Sequence, residues 1–552
     1  MTEQFDPERV IQAALGEQQA GRLEEAKALY EGLLEERPDY PDALHLLGVI
    51  SLQTGDPAGG IDYMRRASAL VPDDVQIGLN LAGALKSLGR SDEAVGCLRA
   101  LAGVVSGSPS VHLALADILD AQQNHGAAEL HYRRALELSP DDAAALTGLG
   151  RVLRLSGREK EAEAAWRRVL KINPEQVGAM VNLALLIMSR GRNNEAQAYL
   201  EKALNLAPGH AKTWFQYGNV MLNQNRPDLA DEAFAKATTL DPDDYDAHVH
   251  LGFARLLMGD FGRGFAEYEW RLGSPALRER DVTGPRWDGS FLDGRTILVH
   301  AEQGMGDALQ FIRYAPKVAR LGGRIILKCH QTMKRLFQGA PGVDDVTTSI
   351  PPPDAYDCHV PLMSLAHLFG TTPETIPAEV PYLHPDDGLR RSWAERLGDG
   401  PNVGLVWRGN PENKRDNVRS CPLERFSPIL ETDGARFFSL QKEFPEDEKP
   451  LPASLTDLGP ELNDFADTAA CVANLDLVIA VDTAIVHLAG ALGRPVWALL
   501  SSSPEWRWML DRDDSPWYPT ARLFRQTGWG DWEGVVARVC GELEKFLANE
   551  HR

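Results

Sequence analysis

Through the first half of the chain the apolar positions fall at helical spacing, and the whole pattern recurs with a period of 34 residues. Prolines stand at 38, 72, 140, 174, 208 and 242, with Ser106 in the skipped place. Glycines keep the same step at 21, 55, 89, 157, 191 and 259, with Gln123 and Asn225 in the gaps. A small residue follows five positions after each (Ala26, Gly60, Ala94, Ala128, Ala162, Ala196, Ala230, Gly264). A large one follows four later (Tyr30, Met64, Leu98, Tyr132, Trp166, Leu200, Phe234, Tyr268). Each period therefore predicts a helical hairpin. The glycine ends the first helix in the left-handed conformation. The small residue lets the two helices approach, the large one fills the space between them, and the proline stops the second helix.

From residue 296 the pattern changes to short apolar runs separated by helical ones. Strands are predicted at 296–300, 324–328, 345–348 and 357–360, with helices near 306–321, 331–339 and 362–369. Residues 370–400 read as a bridge with one helix-like stretch near 389–397, and a second block has strands at 403–407, 436–440, 455–458, 477–481, 496–500 and 521–524, helices near 423–430, 464–474 and 484–492, and a final helix over 532–549. Repeated strand-helix order implies parallel sheets covered on both faces, here two Rossmann-like domains facing a cleft. The predicted organisation is a solenoid of about eight repeats over 1–278, a linker over 279–295, an acceptor-side domain over 296–385 and a donor-side domain over 386–552. Trp270 and Trp287 are expected to pack the linker against the seam.

The eight hairpins carry the tetratricopeptide pattern, whose stacked units leave a concave groove. The sixth position of each repeat is expected to face that groove. It holds Asn80, Asn182, Gln216 and His250, interrupted by Leu46, Ala114 and Gly148. Amide side chains there could hold the backbone of an extended peptide, or simply form a solvated helix face.

Composition narrows the class. A net charge of −22 disfavours a nucleic-acid partner, which wants a basic surface. Six scattered cysteines fit a reducing compartment. The opening MTEQFDPERV has no apolar core, and the longest apolar runs are strand-length, so a cytoplasmic protein with no transmembrane segment is expected.

Three stretches carry candidate chemistry. The first is ILVHAEQGMGD, residues 297–307. It is no dinucleotide fingerprint: the third small residue is replaced by Leu309, and the next strand ends in Lys328-Cys329-His330 without an acid for a ribose. Gly304 and Gly306 are expected to permit a tight turn and close approach of an acceptor. Asp307 is a candidate general base, or a carboxylate favoured by the helix dipole, and Glu302 is the rival base. The second is the polar loop from Arg408, with Asn410, Lys414 and Ser420, suited to phosphate. The third is the strand-to-helix turn at Asp482-Thr483, with His487 one turn on. It is either ordinary capping and packing or a site where free amides take a donor's phosphates. Ser501–Ser503 adds hydroxyls. Trp506, Arg507, Trp508 and Arg512 could meet a nucleotide or form a hinge seam. Asp511-Arg512-Asp513 stands alone and is read as chance.

At EQGMGD (302–307), VGLVWRGNP (403–411), VDTAIVHLAGALGRPVW (481–497) and DSPWYPTARLFRQ (514–526) the chain resembles bacterial proteins joining tetratricopeptide repeats to a heptosyltransferase-like glycosyltransferase of GT-B fold. The resemblance implies an inverting, metal-independent enzyme with no cofactor, whose nucleotide-sugar donor is a substrate. It maps the base to Asp307 and donor binding to Asp482, Thr483 and His487. The chain departs from the pattern in its extra Glu302-Gln303 and its short first block. The layout is similar to protein O-glycosyltransferases, including flagellin-modifying ones, so a protein acceptor delivered through the repeat groove is expected. The competing readings are a repeat scaffold with an inactive or regulatory transferase-like domain, and a transferase acting on a cell-surface glycan or lipopolysaccharide precursor.

Overall fold

The computed structural model describes residues 6–274, 277, 282–413, 416–503 and 505–550. The chain forms two compact units, Met1–Pro208 and Gly209–Arg552.

Helical hairpins fill the first unit, from Pro7–Gln19 with Leu23–Glu36 to Val177–Ser189 with Asn193–Leu206. Gly21, Gly55, Gly89, Gly157 and Gly191 all take φ between +74° and +88°, which suits glycine at a helix end. Gln123 adopts the same geometry at +62° in the place of a glycine. Tyr30, Met64, Leu98, Tyr132, Trp166 and Leu200 are buried beside the fully enclosed Ala26, Ala94, Ala128, Ala162 and Ala196. The sixth position is not a uniform groove face. A Cβ on Gly148 would lie 2.3 Å from the Tyr132 ring, so that position is filled by the large residue of the preceding hairpin.

The second unit begins with two further hairpins, Ala211–Asn223 with Pro227–Leu240 and Tyr245–Leu257 with Phe261–Tyr268. Asn225 (φ +55°) and Gly259 (φ +84°) make the turns. The last helix is cut to 8 residues and runs into a 3-10 turn, Glu269–Gly273. The repeats thus run past Pro208, where the first compact unit ends, and finish inside the second unit at Gly273. Residues 275, 276 and 278–281 of the linker region lie outside the described residues.

Two parallel sheets follow. The first contains β1 (Thr296–His300), β2 (Arg324–Lys328), β3 (Asp345–Thr347) and β4 (Cys358–Pro361), in the order β3-β2-β1-β4. The second contains β5 (Asn402–Val406), β6 (Arg436–Ser439), β7 (Leu455–Asp457), β8 (Leu477–Val481), β9 (Val496–Leu500) and β10 (Ala521–Arg525), in the order β10-β9-β8-β5-β6-β7. Both are the Rossmann-like arrangements expected from the strand-helix alternation. The predicted helix over 306–321 is broken into Met305–Phe311, a 3-10 turn at Ile312–Tyr314 and Ala315–Ala319. Pro316 supplies no amide to continue the ladder there.

The pleat divides each sheet between two cores. Ile297 and Val299 face one way, while Leu298 faces the other with Ile326 and Tyr356. In the second sheet Val403, Leu405, Ile479 and Val481 pack under the final helix, Trp532–Glu550. The opposite faces join a single core that also takes in Leu256, Phe261, Phe265 and Tyr268 of the last repeat. Trp287 is buried in that core and donates to the Ser290 carbonyl at 2.9 Å. Trp270 is not: it is 40% exposed and stacks on His248 at 4.0 Å, a contact within the repeat itself. Among the described residues no helix is long and apolar enough to cross a membrane.

One buried pair in the first unit gives a pH prediction. The rings of His112 and His131 stack with centroids 5.4 Å apart and their Nδ1 atoms 3.2 Å apart. Burial lowers the pKa of both below the ordinary histidine value. The fold therefore favours neutral rings, whereas the unfolded chain takes up protons near pH ~6.5. Stability is therefore full above that pH and falls as pH drops toward the lowered folded values. Thermal unfolding at pH 7.5 and 5.5 should show a larger loss for the native chain than for His131→Gln; equal losses would remove the pair as the cause.

Candidate active site

Strand order fixes where a ligand can sit. In the first sheet the chain leaves β1 for β2 and β3 on one side and returns to β4 on the other. In the second it leaves β5 for β6 and β7, then returns to β8 beside β5. At such reversals the loops leaving the carboxyl ends splay apart and open a crevice. The loops after β1, β5 and β8 carry the three stretches singled out above.

Asp307 lies in the first turn of the Met305 helix and is used twice. One carboxylate oxygen accepts from the Gly304 amide at 2.8 Å, which caps the helix. The other accepts from the guanidinium of Arg507, which follows β9 in the second domain. Arg507 is buried and also donates to Glu505 and, at 2.6 Å, to Gln310. Burial opposes its charge, but the Glu505 and Asp307 carboxylates outweigh that and raise its pKa. Arg313 makes a second crossing between the domains. It donates to the Trp517 carbonyl at 2.7 Å and the Tyr382 hydroxyl at 2.8 Å, with the faces of Tyr382 and Tyr518 over it at 4.4 and 4.7 Å.

Gly306 brings the two helix starts together. A Cβ there would stand 2.9 Å from Cδ2 of His487 and 3.6 Å from the Ala484 Cα. Its smallness serves packing between the Met305 and Ala484 helices, not the approach of an acceptor. Gly304 has φ −68° and ψ 165°, a conformation open to any residue. His487 is buried, with Nδ1 2.8 Å from the Tyr518 hydroxyl and its ring stacked on Trp508. Burial, helped by the positive charges of Arg507 and Arg313, holds its pKa well below the ordinary value, so it is a neutral packing group.

Glu302 is not placed to act as a base. Only 2% of its surface is exposed, and it receives Arg271 from the last repeat at 2.9 Å. Burial raises its pKa while Arg271 opposes the rise. The adjoining Gln303 accepts from the Tyr268 hydroxyl at 3.2 Å. Burial pushes that phenol up to about 12, so it remains a donor.

On the other wall, the Ala484–Ala491 helix starts at Thr483 with no side chain capping its first turn. The Thr483 hydroxyl is buried and has no partner among the described residues. Arg419 reaches the Asp482 carbonyl at 3.4 Å and ties this turn to the loop after β5. Ser420 spends its hydroxyl on that loop, accepting from the Gly409 amide at 2.9 Å and donating to Asp416 at 2.7 Å. Arg408 is paired with Glu448 at 2.6 Å. Asn410 accepts from the Glu412 amide in an exposed turn, and Lys414 lies outside the described residues. Within Ser501–Ser503, the Ser501 hydroxyl donates to the Ser503 carbonyl and the Ser503 hydroxyl reaches Asn223 of the penultimate repeat.

Among the groove candidates, Asn80 bonds His45 at 2.8 Å and Gln76 at 2.9 Å in the first unit. Asn182 is half-buried there. Gln216 accepts from Asn219 and His250 sits edge-on to Phe215 at 4.9 Å, both in the second unit. The residues that the sequence underweighted are Arg507, Arg419 and Gln310. Arg507 had a signal in its Trp-Arg-Trp setting, which fits a seam better than a nucleotide platform: Trp506 meets Phe265 at 5.6 Å.

Comparison with known proteins completes the description. Tetratricopeptide-repeat family models match residues 11–75, 79–143 and 188–250, and the "Cilia and flagella-associated protein 70 middle TPR-like domain" matches 112–213. The model for "Glycosyltransferase family 9 (heptosyltransferase)" matches 444–529. The chain thus joins tetratricopeptide repeats in its N-terminal region to a C-terminal segment that matches the glycosyltransferase family 9 model. The match takes in Asp482, Thr483, His487 and Arg507, and does not extend to Asp307. "Protein FlbA" of Caulobacter vibrioides is 29% identical over 334 residues, 53% of this chain. The chain spans about half the length of that curated relative, 54% of it. Solved repeat structures resemble it more distantly: a tetratricopeptide repeat protein from Parabacteroides merdae (19% identity, TM-score 0.38, 45% of this chain and 98% of that one) and MamA (24%, 0.28, 30% and 97%).

The junction of the two helix starts is testable. His487 is held by Tyr518 and Trp508 and cannot yield to a new methyl group. Gly306→Ala should therefore destabilise the protein by roughly 1–3 kcal/mol through overpacking, whereas Gly304→Ala should cost less. Chemical denaturation of both variants checks this, and equal stabilities would show that the contact is not tight.

Proposed function

We propose that the α/β region transfers a sugar from a nucleotide-sugar donor to a hydroxyl of a protein acceptor brought by the repeats. The observation that carries this reading is the family 9 match over the Asp482 turn, which adjoins Asp307 through Gly306 and His487. The two helix starts differ in a way that divides the labour. The Met305 helix is capped by its own carboxylate, so it repels a phosphate. The Ala484 helix has no side-chain cap, so its amides suit the donor diphosphate. Arg419 beside Asp482 supplies positive charge at the same end.

In the transfer, the acceptor oxygen attacks the anomeric carbon and the bond from that carbon to the phosphate oxygen breaks. The diphosphate leaves with the electron pair, and the acceptor proton passes to Asp307. A carboxylate offers about four acceptor positions, and the Gly304 amide and Arg507 take one on each oxygen. Lone pairs therefore remain for a substrate hydroxyl, while Arg507 fixes the carboxylate's orientation. No step is assigned to a metal.

A thermal-shift panel of nucleoside mono- and diphosphates tests the donor wall. The matching nucleotide, at about 100 times its Kd, should stabilise the fold by roughly 2.7 kcal/mol. Asp307→Ala should keep that shift and lower sugar transfer by about 10²–10⁴-fold, the usual worth of a general base. Transfer at the native rate in Asp307→Ala would rule out the assignment.

A further inference from the structure

The two residues that interrupt the glycosyltransferase pattern, Glu302 and Gln303, are the ones that meet the last repeat. Arg271 stands in the 3-10 turn that replaces the end of that repeat's second helix. It is 4% exposed and donates to Glu302 at 2.9 Å, to Ser364 at 2.8 Å, to Glu269 at 2.6 Å and to the Tyr268 carbonyl at 3.1 Å. Ser364, at the start of the helix after β4, donates onward to Glu269 at 3.0 Å. Tyr268 places its hydroxyl on Gln303. The stretch from Ala301 to Gly304 is thereby pinned at two consecutive side chains, and Asp307 begins the next turn. Its other constraint, Arg507, follows Trp506, which lies against Phe261, Phe265 and Tyr268 of the same repeat.

We infer that Arg271, acting through Glu302, is a positioning residue for the Asp307 carboxylate, so that the last repeat is a working part of the transferase site. The inference rests on the reading of Asp307 as the acceptor base. Reacting groups misplaced by about 1 Å lose on the order of 10²-fold in rate. An unanchored loop ahead of Asp307 moves the base but leaves the Asp482 turn, which holds the donor. The effect should therefore fall on kcat and spare donor affinity.

The test uses the full-length protein and compares Asp307→Ala, Arg271→Met, the pair Arg271→Met with Glu302→Leu, and Tyr268→Phe. Donor Kd, kcat and Tm are measured for each. Arg271→Met should lose about 10–100-fold in kcat with donor Kd within about 2-fold of native. It should also lose stability, because it strands a buried carboxylate. The pair removes that stranded charge, so its Tm should recover while kcat stays low. A merely structural role predicts that kcat recovers with Tm, and this result overturns the inference. So does an unchanged kcat in Arg271→Met. If Arg271→Met does not fold, the pair and Tyr268→Phe decide: native kcat in both overturns the inference, and lowered kcat at native donor Kd supports it. Native turnover in Asp307→Ala instead overturns the assignment of the base, so the two failures are told apart.

Discussion

The guanidinium of Arg507 lies where three parts of the second compact unit meet. It is buried between Asp307 and Gln310 of the first Rossmann-like domain and Glu505 of its own loop, and its neighbour Trp506 rests on the last repeat. A buried cation is tolerated only when its donors are satisfied and its charge is offset. Here the offset comes from carboxylates on both sides of the domain boundary. Neither domain can take up its place without leaving a charge unpaired. That requirement acts together with the apolar core both domains share to hold the Asp307 turn against the Asp482 turn. Arg313 acts similarly with aromatic faces and carbonyls in place of carboxylates.

The registration has chemical consequences. The two helix starts pack together, with Gly306 of one against His487 of the other. One start is capped by the Asp307 carboxylate while the other, at Thr483, has no side-chain cap, and the proposed division between acceptor wall and donor wall rests on that difference. The neutral, buried His487 carries no charge into the crevice. It serves as the spacer on which the Met305 helix rests, and Tyr518 and Trp508 hold it in place.

The periodic features were legible in the sequence because their causes are local. A 34-residue step, glycines at turns and alternating apolar runs mark hairpins and strands wherever they occur, and β1, β2, β8 and β9 begin and end at the predicted residues. The Asp307 and Asp482 turns were found because each follows such a strand. The partners of those turns were not legible. Arg507 is 200 positions from Asp307, and Arg271 is 31 from Glu302. Nothing in the spacing of a single chain records which distant cation a carboxylate will meet. Glu302 therefore resembled a base when it is a buried anchor. Gly306 resembled an opening for substrate when it is a contact between helices. Arg408 and Ser420 resembled phosphate ligands, while in the fold Arg408 is paired with Glu448 of the turn after β6 and Ser420 bonds within its own loop.

If Arg507 joins Asp307 to the second domain, removing one group should lower the cost of removing the other, although the bonds of Arg507 to Glu505 and Gln310 are lost in either case. A double-mutant cycle of Asp307→Asn and Arg507→Met, read by the free energy of unfolding, measures this directly. A coupling of about 1.5–3 kcal/mol is predicted for such a buried charge pair. Effects that add within about 0.5 kcal/mol would mean that the two residues are independent, and the account of how the site is assembled would be wrong.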